Sequence, residues 1–309
     1  MFLHLKGCIS SVLQFKSIKD KLSVLSHLFV FSNIALALIA VSGVYITSRE
    51  LLLTENTAYN LLVFFSVLAI YLYDKLDPVL SKADRDSKPE RSSFIHEQRP
   101  ALLVIITASI IISFFLFSRI SPGSMVVLLV AALITALYLK LQTLLASLSE
   151  SIPLLTLSKP LVLSLVWSMA TVLGPAINSN LGNIQLWALF FIRMQYYMAN
   201  SVIFDFRDYR SDRVSPKLNI FFHVSESTMP RALQLCAIYF TLTVAFFVAF
   251  IYFSNVPWIF VFELLPMLFF TAVLFWQSTS TKPLLRSELQ YMVLIDGALL
   301  LNLPILFFI

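Results

Sequence analysis

Residues 184–213 read IQLWALFFIRMQYYMANSVIF-DFRDYRSDR. Ile184–Phe204 is an apolar run of roughly 20 residues, the length that crosses a bilayer core as a helix. The chain then turns abruptly acidic. Asp205, Asp208 and Asp212 follow at spacings of three and four. At 100° per residue they fall within about 60° of arc, so they share one helical face. Like charges on one face repel one another, so this face needs a cation. An apolar helix that ends on an acidic face is a membrane helix with a polar site at its mouth.

The rest of the chain repeats the apolar half of that pattern. Of 309 residues, 59% are apolar and 13% charged, with mean hydropathy +0.85. Soluble domains carry about 25% charged residues, so a soluble fold is excluded, as are disorder, collagen and coiled coil. Cys8 and Cys236 have no metal spacing and imply no disulfide scaffold. Nine apolar spans stand out: Leu22–Thr47, Ala58–Tyr73, Ala101–Phe117, Met125–Leu139, Leu161–Ile177, Ile184–Phe204, Ala232–Phe253, Trp258–Gln277 and Leu289–Ile309. Their length selects helices over barrel strands. Pro122, Pro175 and Pro257 fall at connections, whereas Pro160, Pro266 and Pro304 fall at or inside spans. The expected fold is an all-α membrane protein of nine transmembrane helices around a central cavity. Residues 1–309 form one polytopic domain, with an interfacial segment over 1–21 that carries Lys6, Lys16, Lys19 and Lys21.

Charge orients the bundle. With the N-terminus in the cytoplasm, all but three of the 22 Lys and Arg lie on that side; Arg49 and Arg119 lie opposite and Arg193 lies within a span. The net charge of +5 is therefore a topology signal rather than a sign of nucleic-acid binding. Two long loops, after spans two and six, both face the cytoplasm. A bacterial inner or plasma membrane suits this arrangement, and an organelle would present the same pattern.

The loop after span two begins Tyr73-Asp74-Lys75-Leu76-Asp77 and continues through Asp84, Asp86 and Lys88-Pro89-Glu90-Arg91. Asp74 and Asp77 repeat the spacing of Asp205 and Asp208, each pair directly after an apolar helix and an aromatic residue. Mg²⁺ is the expected cation. It takes oxygen ligands and usually shares its shell with substrate phosphates. Two acidic clusters across one cavity suit a diphosphate whose carbon–oxygen bond ionises. An allylic isoprenyl diphosphate breaks that way. The metal set is expected to be Asp74, Asp77, Asp84, Asp205, Asp208 and Asp212, with Asp77 and Asp208 the critical pair. Arg91, Lys159, Arg207 and Arg213 are candidates to hold phosphate oxygens. Tyr71, Tyr73, Tyr196, Tyr197 and Phe204 are placed to line an aromatic tunnel for the tail. Because the acids lie at an interface, Ala at Asp205 or Asp208 should abolish ionisation and leave folding intact.

These residues resemble the UbiA superfamily of intramembrane prenyltransferases. Asp205, Asp208, Asp212 and Arg213 match the form D-x-x-D-x-x-x-D-R of its second motif. Asp84 with Lys88-Pro89-Glu90-Arg91 resembles the end of its first motif. Lys159-Pro160, Trp167, Thr171 and Pro175 resemble its fifth helix. The resemblance implies nine helices, Asp-rich motifs after helices two and six, Mg²⁺, an isoprenyl diphosphate and a lipophilic acceptor, aromatic in the first instance. The first loop departs from the family form. Counting from Asp74, the third motif position is Ser81; counting back from Asp84, the middle position is Leu80. A UbiA-type terpene cyclase, which needs no acceptor, and a non-catalytic membrane protein therefore stay open beside the prenyltransferase.

Arg193, Gln195, Asn200, Glu263 and Asp296 lie inside spans, where ionisable groups are costly and functional by default. Asp296 is read as either a base or the partner of Arg193. The histidines have no ligand spacing.

Overall fold

The computed structural model describes residues 29–76, 89–179, 181–212, 218–254, 256–280 and 288–307. Among them the structure is all-helical, with no strand. The helices are α1 (Ile34–Glu50), α2 (Thr57–Leu76), α3 (Pro89–Phe117), α4 (Pro122–Ser149), α5 (Pro153–Ala176), α6 (Ile184–Asp212), α7 (Met229–Phe253), α8 (Trp258–Thr279) and α9 (Glu288–Ala298). α5 and α8 are composite, each opening on a 3-10 turn. Six of these helices, α2, α3, α4, α5, α7 and α8, are long and apolar enough to cross a membrane. The chain is an integral membrane protein. α1 has 17 residues, α9 has 11, and α6 carries Arg193 and its acidic end. Residues 1–21 lie outside the described residues.

The helices overrun their apolar spans where polar residues continue the turn. α3 starts at Pro89 rather than near Ala101 and takes Pro100 into its interior. α6 carries its acids on the helix itself, to Asp212. The first span is not one helix. It breaks at Asn33, which takes φ 62° and ψ 16°, a left-handed conformation that Asn tolerates better than most residues. α4 begins at Pro122, inside the expected connection, with the Ser121 hydroxyl accepting the Ser124 N–H at 3.2 Å and Pro122 in the first turn.

Pro175 lies inside α5 rather than in a connection. It has no N–H for the Thr171 carbonyl one turn earlier. The helix answers with a π turn over Met169–Leu173 and borrowed donors. Thr47 Oγ1 of α1 donates to the Thr171 carbonyl at 2.7 Å, Tyr59 Oη of α2 to the Ala170 carbonyl at 2.7 Å, and Ser124 Oγ of α4 to the Gly174 carbonyl at 2.7 Å. In hydrocarbon such freed carbonyls must find protein donors. Three neighbouring helices are thereby pinned to α5.

Packing then opens a space. α3 packs on α2 and α2 on α1, while α4 and α6 pack on α5 and α7 on α8. α3 and α4 are joined by residues 118–121 but belong to different groups. The gap between those groups, backed by α5 and α6, is a cavity.

Candidate functional site

The cavity has a volume of about 810 Å³. On α6 its wall is built from Tyr197, Asn200, Phe204, Asp205, Asp208 and Asp212, one face at spacings of three and four. On α2 it runs from Leu62 to Asp74, and on α5 from Lys159 to Thr171. Eleven or twelve helical residues span about 16–18 Å, so this is a shaft. Its motif end holds Asp74, Asp205, Asp208, Asp212, Lys159 and Arg207.

Three of the four acids at this end, Asp205, Asp208 and Asp212, are already held by groups of the chain itself. Asp205 is 0% exposed. Its Oδ1 lies 2.5 Å from Lys159 Nζ, and its Oδ2 accepts the Ile220 N–H at 3.0 Å. Asp212 Oδ2 lies 3.9 Å from the same ammonium and accepts Asn219 Nδ2 at 2.9 Å. Asn219 also donates to the Asp205 carbonyl at 2.7 Å, so residues 219–220 fold back onto the end of α6. Arg207 forks onto Asp208, Nε at 2.7 Å and Nη2 at 2.8 Å, with its guanidinium 4.6 Å from the centre of the Phe204 ring. Charge-assisted bidentate bonds of this kind are strong. Asp74 stands exposed at the end of α2 on the same mouth.

Of the expected site, the structure therefore brings together Asp74, Asp205, Asp208, Asp212, Lys159 and Arg207. Asp77, Asp84, Asp86 and Arg213 lie outside the described residues, as does the side chain of Arg91. Among the described residues, no three ligand-type side chains converge as a preformed metal site. The donor chemistry fits Mg²⁺ only in its substrate-sharing form, in which one or two carboxylates and phosphate oxygens complete the shell. Asp74 and Asp208 are suited to that. Asp205 is not, because it is fully buried against Lys159 and the Ile220 amide.

Beneath the mouth the wall is aromatic. Tyr71 Oη accepts the Trp167 indole N–H at 2.8 Å. Ring centroids lie 6.1 Å apart for Tyr71–Trp167 and 5.3 Å for Trp167–Tyr197. Tyr71, Tyr197 and Phe204 line the cavity as expected. Tyr73 and Tyr196 do not: Tyr73 is 69% exposed and Tyr196 is buried in the core. Trp167 lines the cavity as well, so its face of α5 turns inward.

The ionised residue in span six has partners that sequence reasoning missed. Arg193 is fully buried and uses all five N–H groups. It donates to Glu263 from Nε at 3.0 Å and Nη2 at 3.0 Å, to Glu50 from Nη2 at 3.1 Å, and from Nη1 to the Gly43 carbonyl at 2.5 Å and Thr47 Oγ1 at 2.6 Å. Asn302 Nδ2 adds a bond to Glu263 Oε1 at 2.7 Å. The pairing of Arg193 with Asp296 is thus overturned. Glu50 lies three residues beyond Thr47, the expected end of the first span, and α1 runs on to it. The demand was legible, since a lone arginine in an apolar span requires a counter-charge, but which of the acids on that end, Glu50, Glu55 or Glu263, would meet it was not.

Comparison of the chain with protein-family models, with curated proteins and with solved structures returned no match.

Proposed function

We propose that the chain is a nine-span, Mg²⁺-dependent intramembrane prenyltransferase of the UbiA type. It ionises an isoprenyl diphosphate and transfers the prenyl chain to a lipophilic, aromatic acceptor. One observation carries this reading. Acids from α2 and α6, 131 residues apart from Asp74 to Asp205, share the polar mouth of one apolar cavity with a lysine and an arginine. The diphosphate belongs at that mouth and the tail in the shaft. Mg²⁺ shared between the carboxylates of Asp74, Asp77, Asp84 and Asp208 and the phosphate oxygens supplies the charge neutralisation that lets diphosphate leave. Arg207 and Lys159, now on Asp208 and Asp205, hold phosphate oxygens as well, together with Arg91 and Arg213. Asp205 and Asp212 keep Lys159 charged and aimed. Trp167, Tyr71 and Tyr197 exclude water and face the cation with their π systems. The mouth and the N-terminus are on the cytoplasmic side.

The aromatic wall favours one second reading, a terpene cyclase on the same scaffold. There the tail's own double bonds attack the cation. Purified full-length protein incubated with Mg²⁺ and isoprenyl diphosphates of graded length, with and without lipid extract, tests both. Diphosphate release that needs an acceptor and stops in EDTA is the expected result. Release with a cyclised product and no acceptor selects the cyclase. No release from any length, or full turnover in chelator, removes the reading.

A further inference from the structure

Below the mouth, the cavity wall carries one further acid among the described residues. Asp296 stands on α9 with Met292, and Leu299 follows just past the end of the helix; all three line the cavity. It is 8% exposed. It sits eight residues from the start of α9, about 12 Å along the helix. The Tyr71 hydroxyl lies within electrostatic reach of both Asp296 and Asp74. Asp296 lines the same cavity as the aromatic wall of Tyr71, Trp167 and Tyr197. It is not there to balance Arg193, whose donors are spent on Glu50, Glu263, Gly43 and Thr47. A carboxyl group set into an apolar span next to the bond-forming region has a chemical use.

We propose that Asp296 is a catalytic base of this cavity, which takes the surplus proton once the prenyl carbon has been captured. The proposal rests on the prenyl-transfer reading above. The allylic C–O bond breaks and its electron pair leaves with the diphosphate. An electron pair of the acceptor closes the new bond to the allylic carbon. The acceptor then holds one proton too many, and that proton passes to the Asp296 carboxylate. The Trp167 indole N–H, bound to the Tyr71 hydroxyl, fixes the aromatic wall of the same cavity. Without a base at this position the adduct keeps its extra proton and reverts to cation and acceptor, and the cation is at length captured by water, which loses a proton to solvent and gives the prenyl alcohol.

The test compares the wild-type protein with Asp296→Asn and Asp296→Glu, full length and in detergent with Mg²⁺. Farnesyl diphosphate is the donor, and simple phenols and lipid extract are the acceptors. The readout is product formed per diphosphate released. Asp296→Asn is expected to release diphosphate within about threefold of wild type and to lower that ratio about 100-fold, as a lost general base does. Farnesol should appear in place of the product. Asp296→Glu should recover at least a tenth of the ratio. Binding of the non-ionising farnesyl thiolodiphosphate, followed by tryptophan fluorescence, should be unchanged in Asp296→Asn. An unchanged ratio in Asp296→Asn overturns the proposal. So does loss of thiolodiphosphate binding in step with diphosphate release, which is the mark of a structural role. If the wild type itself releases no diphosphate, the transfer reading fails, and that failure shows in the parent protein rather than in the variant.

Discussion

Asp205 and Asp208 sit one turn apart on the same face, yet they do different work. The sequence alone treats them as equals that can be replaced without harm to folding. Asp205 is fully buried against Lys159 and the Ile220 amide, and removing one partner of a buried pair costs about 3–5 kcal/mol. Asp208 keeps a cavity-facing carboxylate held by its neighbour Arg207. Asp205→Ala should therefore lower both turnover and the unfolding temperature in detergent, whereas Asp208→Ala should abolish turnover with little loss of stability. Equal melting temperatures in the two variants would contradict the burial argument. The Arg193 cluster divides in the same way. Glu263 accepts from Arg193 twice and from Asn302, whereas Glu50 accepts once and its Oε1 is buried with no hydrogen-bond donor. Glu263→Gln should cost several kcal/mol. Glu50→Gln should stay within about 1 kcal/mol, because the amide oxygen still takes Arg193 and the new NH₂ faces an acceptor-rich site. Thermal unfolding of the two variants side by side reads the order, and Glu50→Gln as the weaker protein would reverse this account.

At the level of the element, α5 is the helix on which the others are hung. Gly174 is the position where α2 crosses it: a Cβ there would stand 1.8 Å from Tyr59 Oη. That hydroxyl is tied to the Ala170 carbonyl, so moving it aside would break this bond. Gly174→Ala should cost about 1–3 kcal/mol through overpacking, and a Tyr59→Phe background should recover part of it by freeing the ring. An unfolding temperature unchanged from wild type in Gly174→Ala would show that α2 does not sit where the structure places it. Element-level features were unequally legible in the sequence. Hydropathy marks the apolar stretches, because span length follows from bilayer thickness. It does not mark the break at Asn33, the interior Pro100 or the helical run of Asp205–Asp212, since those depend on local backbone satisfaction rather than on apolarity. The acidic face of α6 was readable from its spacing. Lys159 as its counter-ion was not: the residue is named by the sequence, but its attachment to Asp205 depends on how α5 packs on α6. Pairings such as Arg193–Glu50, which join residues 143 apart, are set by the order of helices in the bundle and have no local sequence signal.

Across the whole molecule, the arrangement has a direction, with charge at the motif end and a shaft running away from it between the two helix groups. In the orientation proposed above from the Lys and Arg distribution, that end shares a side with the N-terminus. Cysteines introduced at Ser92 and Ser215 should then be labelled from one face of sealed vesicles and one at Glu55 from the other; opposite labelling of Ser92 and Ser215 would separate the two halves of the site. The shaft itself sets what can be bound. Ala170 lines it eleven residues along α5 from Lys159, about 16 Å from the mouth, with Leu62 and Val63 of α2 lining the same depth of cavity. The backbone bond at Ala170 runs through its carbonyl, so a larger side chain leaves that bond in place and grows into the open volume. Ala170→Phe should thus act as a plug. Short isoprenyl diphosphates, which end above it, should keep their kcat/KM within a few fold. Longer ones, whose tails must pass it, should lose about 10-fold or more per added unit that meets the ring, since overpacking by even part of a side chain costs 1–3 kcal/mol. Measuring kcat/KM across a length series, with the unfolding temperature recorded for each protein, separates a plug from a general loss of structure. A uniform fall at every length would mean that the tail does not run down this shaft and that the apolar part of the substrate leaves the mouth by another route.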